Sequence, residues 1–178
     1  MTARIAPAEP PFPAGIQSSL DGLMRGKPPL VLFTTPARDP RLFQKLFAGG
    51  LLDRGNLTLR QRELVIARTT ALCKSEYEWG VHIALFASHV GFDEAQVISL
   101  ASGQPQDGCW SDGDRLLMEL CEMLHADCTV DDALWQSLKR TFSDEAILEL
   151  LMLAGWYHAI SYVCNVARVP LEGWAARW

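Results

Sequence analysis

No two of the five cysteines, Cys73, Cys109, Cys121, Cys128 and Cys164, stand at Cys-x-x-Cys spacing. That excludes a sequence-local dithiol, and an odd, scattered set reads as free thiols. The histidines are equally dispersed. His82 and His89 are seven apart, whereas one zinc on a straight helix takes i and i+4, so the spacing predicts no metal and no cofactor. Positive charge is scarce too. Net charge is −5 with 21% charged residues, which excludes a nucleic-acid surface and an anionic membrane surface. The longest apolar stretch, Ile147 to Ile160, is interrupted by Glu149 and His158 and falls short of the about 18–20 residues of a membrane span. Residues 1–15 carry Pro7, Pro10, Pro11 and Pro13 and lack the apolar centre of a secretory leader, so a cytoplasmic protein is expected. No alternating apolar–polar run predicts a strand, and no fixed-period repeat predicts a solenoid.

What is present is apolar and helical. Hydrophobic residues make up 49% of 178, ample for one core. Residues 1–36 are rich in Pro and Gly and read as an irregular N-terminal arm, leaving 37–178 as the folded domain. The patterning predicts helices from Pro40 to Ala48, Leu59 to Leu72, Glu76 to His89, Glu94 to Ala101, about Asp112 to His125, Thr129 or Asp131 to Thr141, and Asp144 to Ala167. Thr58, Asp93 and Ser143 are the expected N-caps, Ser75-x-x-Glu78 reads as a capping box, and Gly91 is the expected stop.

Residues 63–82 hold the densest chemistry. Glu63 stands twelve residues before Ser75, and Glu78 and His82 follow, four apart on one helical face. The turn at Cys73-Lys74 is short, so the two helices form an antiparallel hairpin. Glu63, about three turns before that turn, then faces His82, about two turns after it. These residues assemble two carboxylates, a hydroxyl and an imidazole, a set suited to general acid–base work. Tyr77 and Trp79 are candidate pocket walls, and Tyr157-His158 is a second polar pair inside an apolar helix. Each has a plainer structural reading. Ser75 and Glu78 serve as a cap, Glu63 pairs with Arg60, Arg62 or Arg68, and His82 is a hydrogen-bonded core residue.

The residues Leu59-x-x-x-Glu63-Leu-Val-Ile, Glu76-Tyr-Glu-Trp-x-x-His82, Gly91-Phe-Asp-x-x-Gln-Val97, Trp135-x-x-Leu138 and Asn165-x-x-Arg-Val-Pro-Leu171 resemble the carboxymuconolactone decarboxylase / alkylhydroperoxidase D-like family. The resemblance implies an all-α helical bundle of about six to seven helices that assembles into oligomers. Its peroxidase branch carries Glu-x(11)-Cys-x-x-Cys-x-x-x-His. Glu63 and His82 match that pattern, but Ser75 and Glu78 occupy the two cysteine positions, so both redox sulfurs are missing.

Three functions follow as expectations. One is a cofactor-free acid/base enzyme on a small carboxylate or lactone, with catalytic His82, Glu63 and Glu78 and substrate-binding Ser75, Tyr77, Trp79, Tyr157 and His158. The second is an alkylhydroperoxidase-like antioxidant with peroxiredoxin activity, using Cys73. The third is a non-catalytic oligomeric binding protein. The expected partners are a small-molecule substrate and further copies of the chain, as a dimer or trimer, because the helix Ile147–Ile160 is apolar almost all round.

Overall fold

The computed structural model describes residues 2–178, and all regular secondary structure among them is helical. The order is α1 (Ala14–Met24), α2 (Val31–Thr34), a 3₁₀ turn (Pro36–Arg38), α3 (Pro40–Ala48), α4 (Leu59–Leu72), α5 (Glu76–Phe86), α6 (Glu94–Ser102), α7 (Asp112–Asp127), α8 (Asp132–Thr141) and α9 (Asp144–Ala167). Helices α3 to α9 occupy the seven segments expected from the sequence. The two additional helices lie in the arm, which was expected to be irregular. There Ile16 and Leu20, four apart, are buried against Ala37 and Phe43. Tertiary packing thus holds α1 despite Gly15 and Gly22, each worth roughly 1 kcal/mol against a helix.

The caps explain most boundaries. Thr58 accepts from the Gln61 amide and Asp93 from that of Gln96, each in a complete capping box. Ser111, Asp131 and Ser143 cap α7, α8 and α9 in the same way. Gly91 closes the turn after α5 in the left-handed region, φ +70°, with the Phe92 amide on the Ala87 carbonyl at 2.9 Å. Ser75 is the exception. It precedes α5 but makes no side-chain cap bond. Its ψ is 79°, whereas the caps of α4, α6, α7, α8 and α9 lie between 156° and 175°. The cause is the turn before it. Lys74 sits at φ +54°, its amide on Ala71 O and the Ser75 amide on Thr70 O, both at 2.8 Å. That Schellman closure of α4 fixes the Ser75 backbone and leaves its hydroxyl facing inward.

Helix α4 is the axis of the domain, packed by α5, α6, α7 and α9. Every residue from Glu63 to Ala71 is buried, polar ones included. Leu64 and Ile66 meet Leu100, Leu117, Leu120 and Leu150 in the main core, each worth about 1.5–3 kcal/mol of burial. Buried Arg68 donates to the Ser99, Leu100 and Gly103 carbonyls at the end of α6 and pairs with Glu122. It therefore satisfies carbonyls that the helix end leaves open.

The C-terminal tail folds back over α5. The Ala176 amide donates to Gly80 O at 3.0 Å, and a Cβ at Gly80 would collide with the Ala176 carbonyl. Trp178 packs on Trp79 with ring centroids 5.3 Å apart. Helix α9 buries Leu150, Leu153, Ala154 and Tyr157 but leaves Leu148, Met152, Tyr162 and Val166 about 60% exposed. At 24 residues it is long and apolar enough to cross a membrane by length and composition, contrary to the expectation above. Its inner face is nonetheless part of the main core.

Candidate active site

The α4–α5 hairpin brings Glu63 and His82 together as its depth predicts. Glu63 Oε2 lies 2.7 Å from His82 Nδ1, both residues buried. A carboxylate facing Nδ1 requires the hydrogen on that nitrogen, which leaves Nε2 as the basic atom of the neutral ring. Tyr157 of α9 meets it there, with its hydroxyl 3.0 Å from Nε2. The Glu78 carboxylate approaches the same nitrogen at 3.8 Å, too far for a hydrogen bond. The other Glu63 oxygen accepts from Arg62 Nε at 3.1 Å, and Arg62 is anchored on the Leu52 carbonyl. Of the three candidate arginines, Arg62 is the ion-pair partner. Phe86 stacks on the His82 ring with centroids 5.6 Å apart.

The result is a linear chain, Arg62–Glu63–His82–Tyr157, with Glu78 beside its far end. Burial pushes the Glu78 carboxyl above the usual range, opposed by the His82 charge and the Cys164 thiol. Burial, with Glu78 and Glu63 nearby, also holds the Tyr157 hydroxyl well above its ordinary value, so it stays protonated. Beside Glu78 lie the Cys164 thiol and the fully buried Ser75, whose hydroxyl finds no well-formed hydrogen bond. Trp79 Nε1 finds no partner, and Ser161 Oγ only a poorly formed contact with the Cys73 thiol. Buried polar atoms are nearly always paired, so these three are exceptions.

The remaining sequence candidates go elsewhere. Tyr77 does not line the chain of groups. Its hydroxyl accepts from the Leu32 amide at 3.0 Å and donates to Glu172 at 2.7 Å, tying the arm and the tail to α5. Trp79 turns to Trp178. His158, adjacent to Tyr157 but about 100° around the helix, points to a second group. Its Nε2 is 3.0 Å from His125 Nδ1, which is 3.9 Å from Cys73 Sγ. Sequence spacing left Arg62 as one of three candidate partners of Glu63, missed Cys164 at the buried site, and missed the Cys73–His125–His158 group altogether, because its members come from three helices.

Among the described residues two clefts stand out, and neither includes a residue of the buried chain. One, about 730 Å³, is lined by Arg68, Gln104, Glu119, Glu122, Leu134 and Ser137. The other, about 410 Å³, lies in the arm between Phe12, Leu20, Met24 and Lys27. His82 is 7% exposed.

Residues 40–109 match the carboxymuconolactone decarboxylase family. Solved structures share the fold over nearly the whole chain. An alkylhydroperoxidase AhpD core, an uncharacterized peroxidase-related protein from Ralstonia eutropha JMP134, has TM-score 0.81 at 18% identity, over 95% of this chain and 93% of that one. An uncharacterized peroxidase-related protein from Silicibacter sp. TM1040 has TM-score 0.81 at 15% identity, over 93% and 88%. The debrominase Bmp8, solved with 2,3,4-tribromopyrrole, has TM-score 0.80 at 11% identity, over 98% and 94%. At those identities the likeness is one of fold. Comparison with curated proteins gives no match. Residues 40–109 are thus similar to the carboxymuconolactone decarboxylase family, and the chain as a whole shares the AhpD-like helical fold.

Proposed function

We propose that the chain is a cofactor-free acid/base enzyme acting on a small carboxylate or lactone. The observation that carries this reading is the buried chain Glu63–His82–Tyr157, closed at 2.7 Å and 3.0 Å. Glu63 fixes the tautomer of His82 and stabilises its cation, so Nε2 takes a proton. Glu78, its carboxyl raised by burial, is the proton donor on the same side of the ring. An acid and a base with opposed environments at one nitrogen are what such chemistry needs. The Ser75 hydroxyl supplies an unspent hydrogen bond next to Glu78.

The test is turnover of a panel of small lactones and β-keto carboxylates. Activity on at least one member should fall about 100-fold or more in His82→Gln and in Glu63→Gln. Undiminished activity in His82→Gln would overturn the assignment. One observation favours a second reading, a non-catalytic binding protein. His82 is nearly enclosed, and neither cleft opens on it. Saturable binding of a panel member without any turnover would select that reading.

A peroxidase is disfavoured. Serine at position 75 and glutamate at 78 have no redox chemistry. Burial also pushes the Cys73 thiol up, opposed by Ser161, and so reduces its thiolate. Dithiol-dependent consumption of an organic hydroperoxide should be absent. Assembly belongs to the same proposal. The exposed Leu148, Met152, Tyr162 and Val166 of α9 are the face for a dimer or trimer. Light scattering at micromolar concentration should give a multiple of the 19.8 kDa chain, and a monomer would remove that part.

A further inference from the structure

The geometry points to a transition-metal site of the zinc class, built by Cys73, His125 and His158 on the side of α9 away from the buried chain. We propose that Zn²⁺ binds there with these three ligands and one open position. Cys73 ends α4, His125 lies in the last turn of α7 and His158 sits mid-way along α9. Their ligand atoms all fall within 4.8 Å of one another. His125 Nδ1 is 3.0 Å from His158 Nε2 and 3.9 Å from Cys73 Sγ. A tetrahedral zinc, with Zn–N of about 2.0–2.1 Å and Zn–S of about 2.3 Å, spaces its nitrogens roughly 3.3 Å apart and nitrogen from sulfur roughly 3.6 Å. The observed spacings bracket those values, so small side-chain rotations suffice.

The surroundings prepare the ligands. His158 Nδ1 lies 3.0 Å from the Ala154 carbonyl, which takes its hydrogen and leaves Nε2 with a free lone pair. Metal-bound histidines are oriented in this way by an outer hydrogen bond. The Cys73 carbonyl accepts from Asn165 Nδ2 at 2.8 Å, which pins the ligand-bearing turn to α9. His125 is exposed, so its other ring nitrogen takes the hydrogen in water while Nδ1 binds the metal. Binding releases the Cys73 thiol proton to solvent. Thiolate plus imidazole suits zinc rather than the oxygen-seeking magnesium or calcium. Three protein ligands with an exposed edge leave the fourth position to water, the arrangement of a reactive rather than a purely structural zinc.

Tag-free protein titrated with Co²⁺ provides the readout. One equivalent per chain should produce the thiolate-to-cobalt charge-transfer band and the intense visible bands of a tetrahedral site, and Zn²⁺ should displace them. Cys73→Ser should abolish the charge-transfer band. His125→Ala, at an exposed position that folding tolerates, and His158→Ala should each weaken binding about 100-fold or more. Cys128→Ser should change nothing, although Cys128 is an exposed thiol three residues from His125. The proposal is overturned if no one-to-one complex forms, if His125→Ala binds as the parent does, or if the band follows Cys128 instead of Cys73. None of these results depends on the fate of the acid/base reading.

Discussion

Tyr157 and His158 are neighbours in the chain and belong to two different polar groups. Tyr157 completes the buried set with His82, Glu63 and Glu78. His158 joins His125 and Cys73 at the surface. In the buried set every charge has a counter-charge or is driven neutral, because an unpaired charge in a low-dielectric interior is prohibitive. In the outer set the Glu122 carboxylate favours the charged His125 ring, but burial and the second imidazole outweigh it. Two imidazole nitrogens face each other, and burial and the neighbouring His158 hold the His125 ring below its ordinary value. The first group is internally complete as it stands. The second is held by one ring-to-ring contact at 3.0 Å, and a cation replacing that proton would meet both nitrogens and the thiol at one point. The contrast separates a proton-transfer device from a cation receptor.

The largest effect that tests this contrast is Glu63→Ala. Removing one partner of a buried pair leaves Arg62 and His82 uncompensated and should cost about 3–5 kcal/mol in urea unfolding. The matching change in the outer group, His125→Ala without added metal, should stay within about 0.5 kcal/mol as an exposed substitution. Equal costs would erase the distinction. Next comes Glu78→Gln. The folded-state pKa of Glu78 is raised, so its contribution is fully present below the unfolded value of about 4.3 and is lost as pH rises through the folded value. Glu78→Gln lacks that loss. Its stability relative to the parent should therefore climb as pH rises above the unfolded value, and a flat difference would show that the carboxyl titrates normally. Tyr157→Phe should be milder, about 1 kcal/mol for one buried hydrogen bond at unchanged shape. It should also move the NMR resonance of His82 Nε2, which loses its hydroxyl partner, while the ring resonances of His158, one residue on, stay in place. Gly80→Ala should be the smallest in the core. Its methyl would strike the Ala176 carbonyl, so the tail should lift from α5, read as more rapid proteolysis of the last residues while the midpoint of unfolding barely moves.

Much of this was legible because it is local. Thr58, Asp93 and Ser143 cap helices where a side-chain oxygen three residues ahead of an apolar run must, and the depth of the α4–α5 hairpin placed Glu63 opposite His82 by helical rise alone. The failures have equally local causes. Ser75-x-x-Glu78 has the residues of a capping box, but the left-handed Lys74 rotates the Ser75 hydroxyl away from the helix amides and into the core. The arm hid α1 because Pro and Gly depress its intrinsic propensity, whereas Ile16 and Leu20 find a surface to bury against only in the folded protein.

The sequence by itself determined the helical class, the seven helices of the domain, and the pairing of a carboxylate with an imidazole across one short turn. Each depends on contacts a few residues or one hairpin apart. Only the tertiary structure decided that Tyr157 meets His82 from 75 residues away, and that Cys73 and His158 converge on His125 across separations of 52 and 33. Which face of α4, α7 or α9 turns toward which neighbour is set by how their apolar ridges pack. That packing is a property of the assembled core and leaves no spacing signal in the chain.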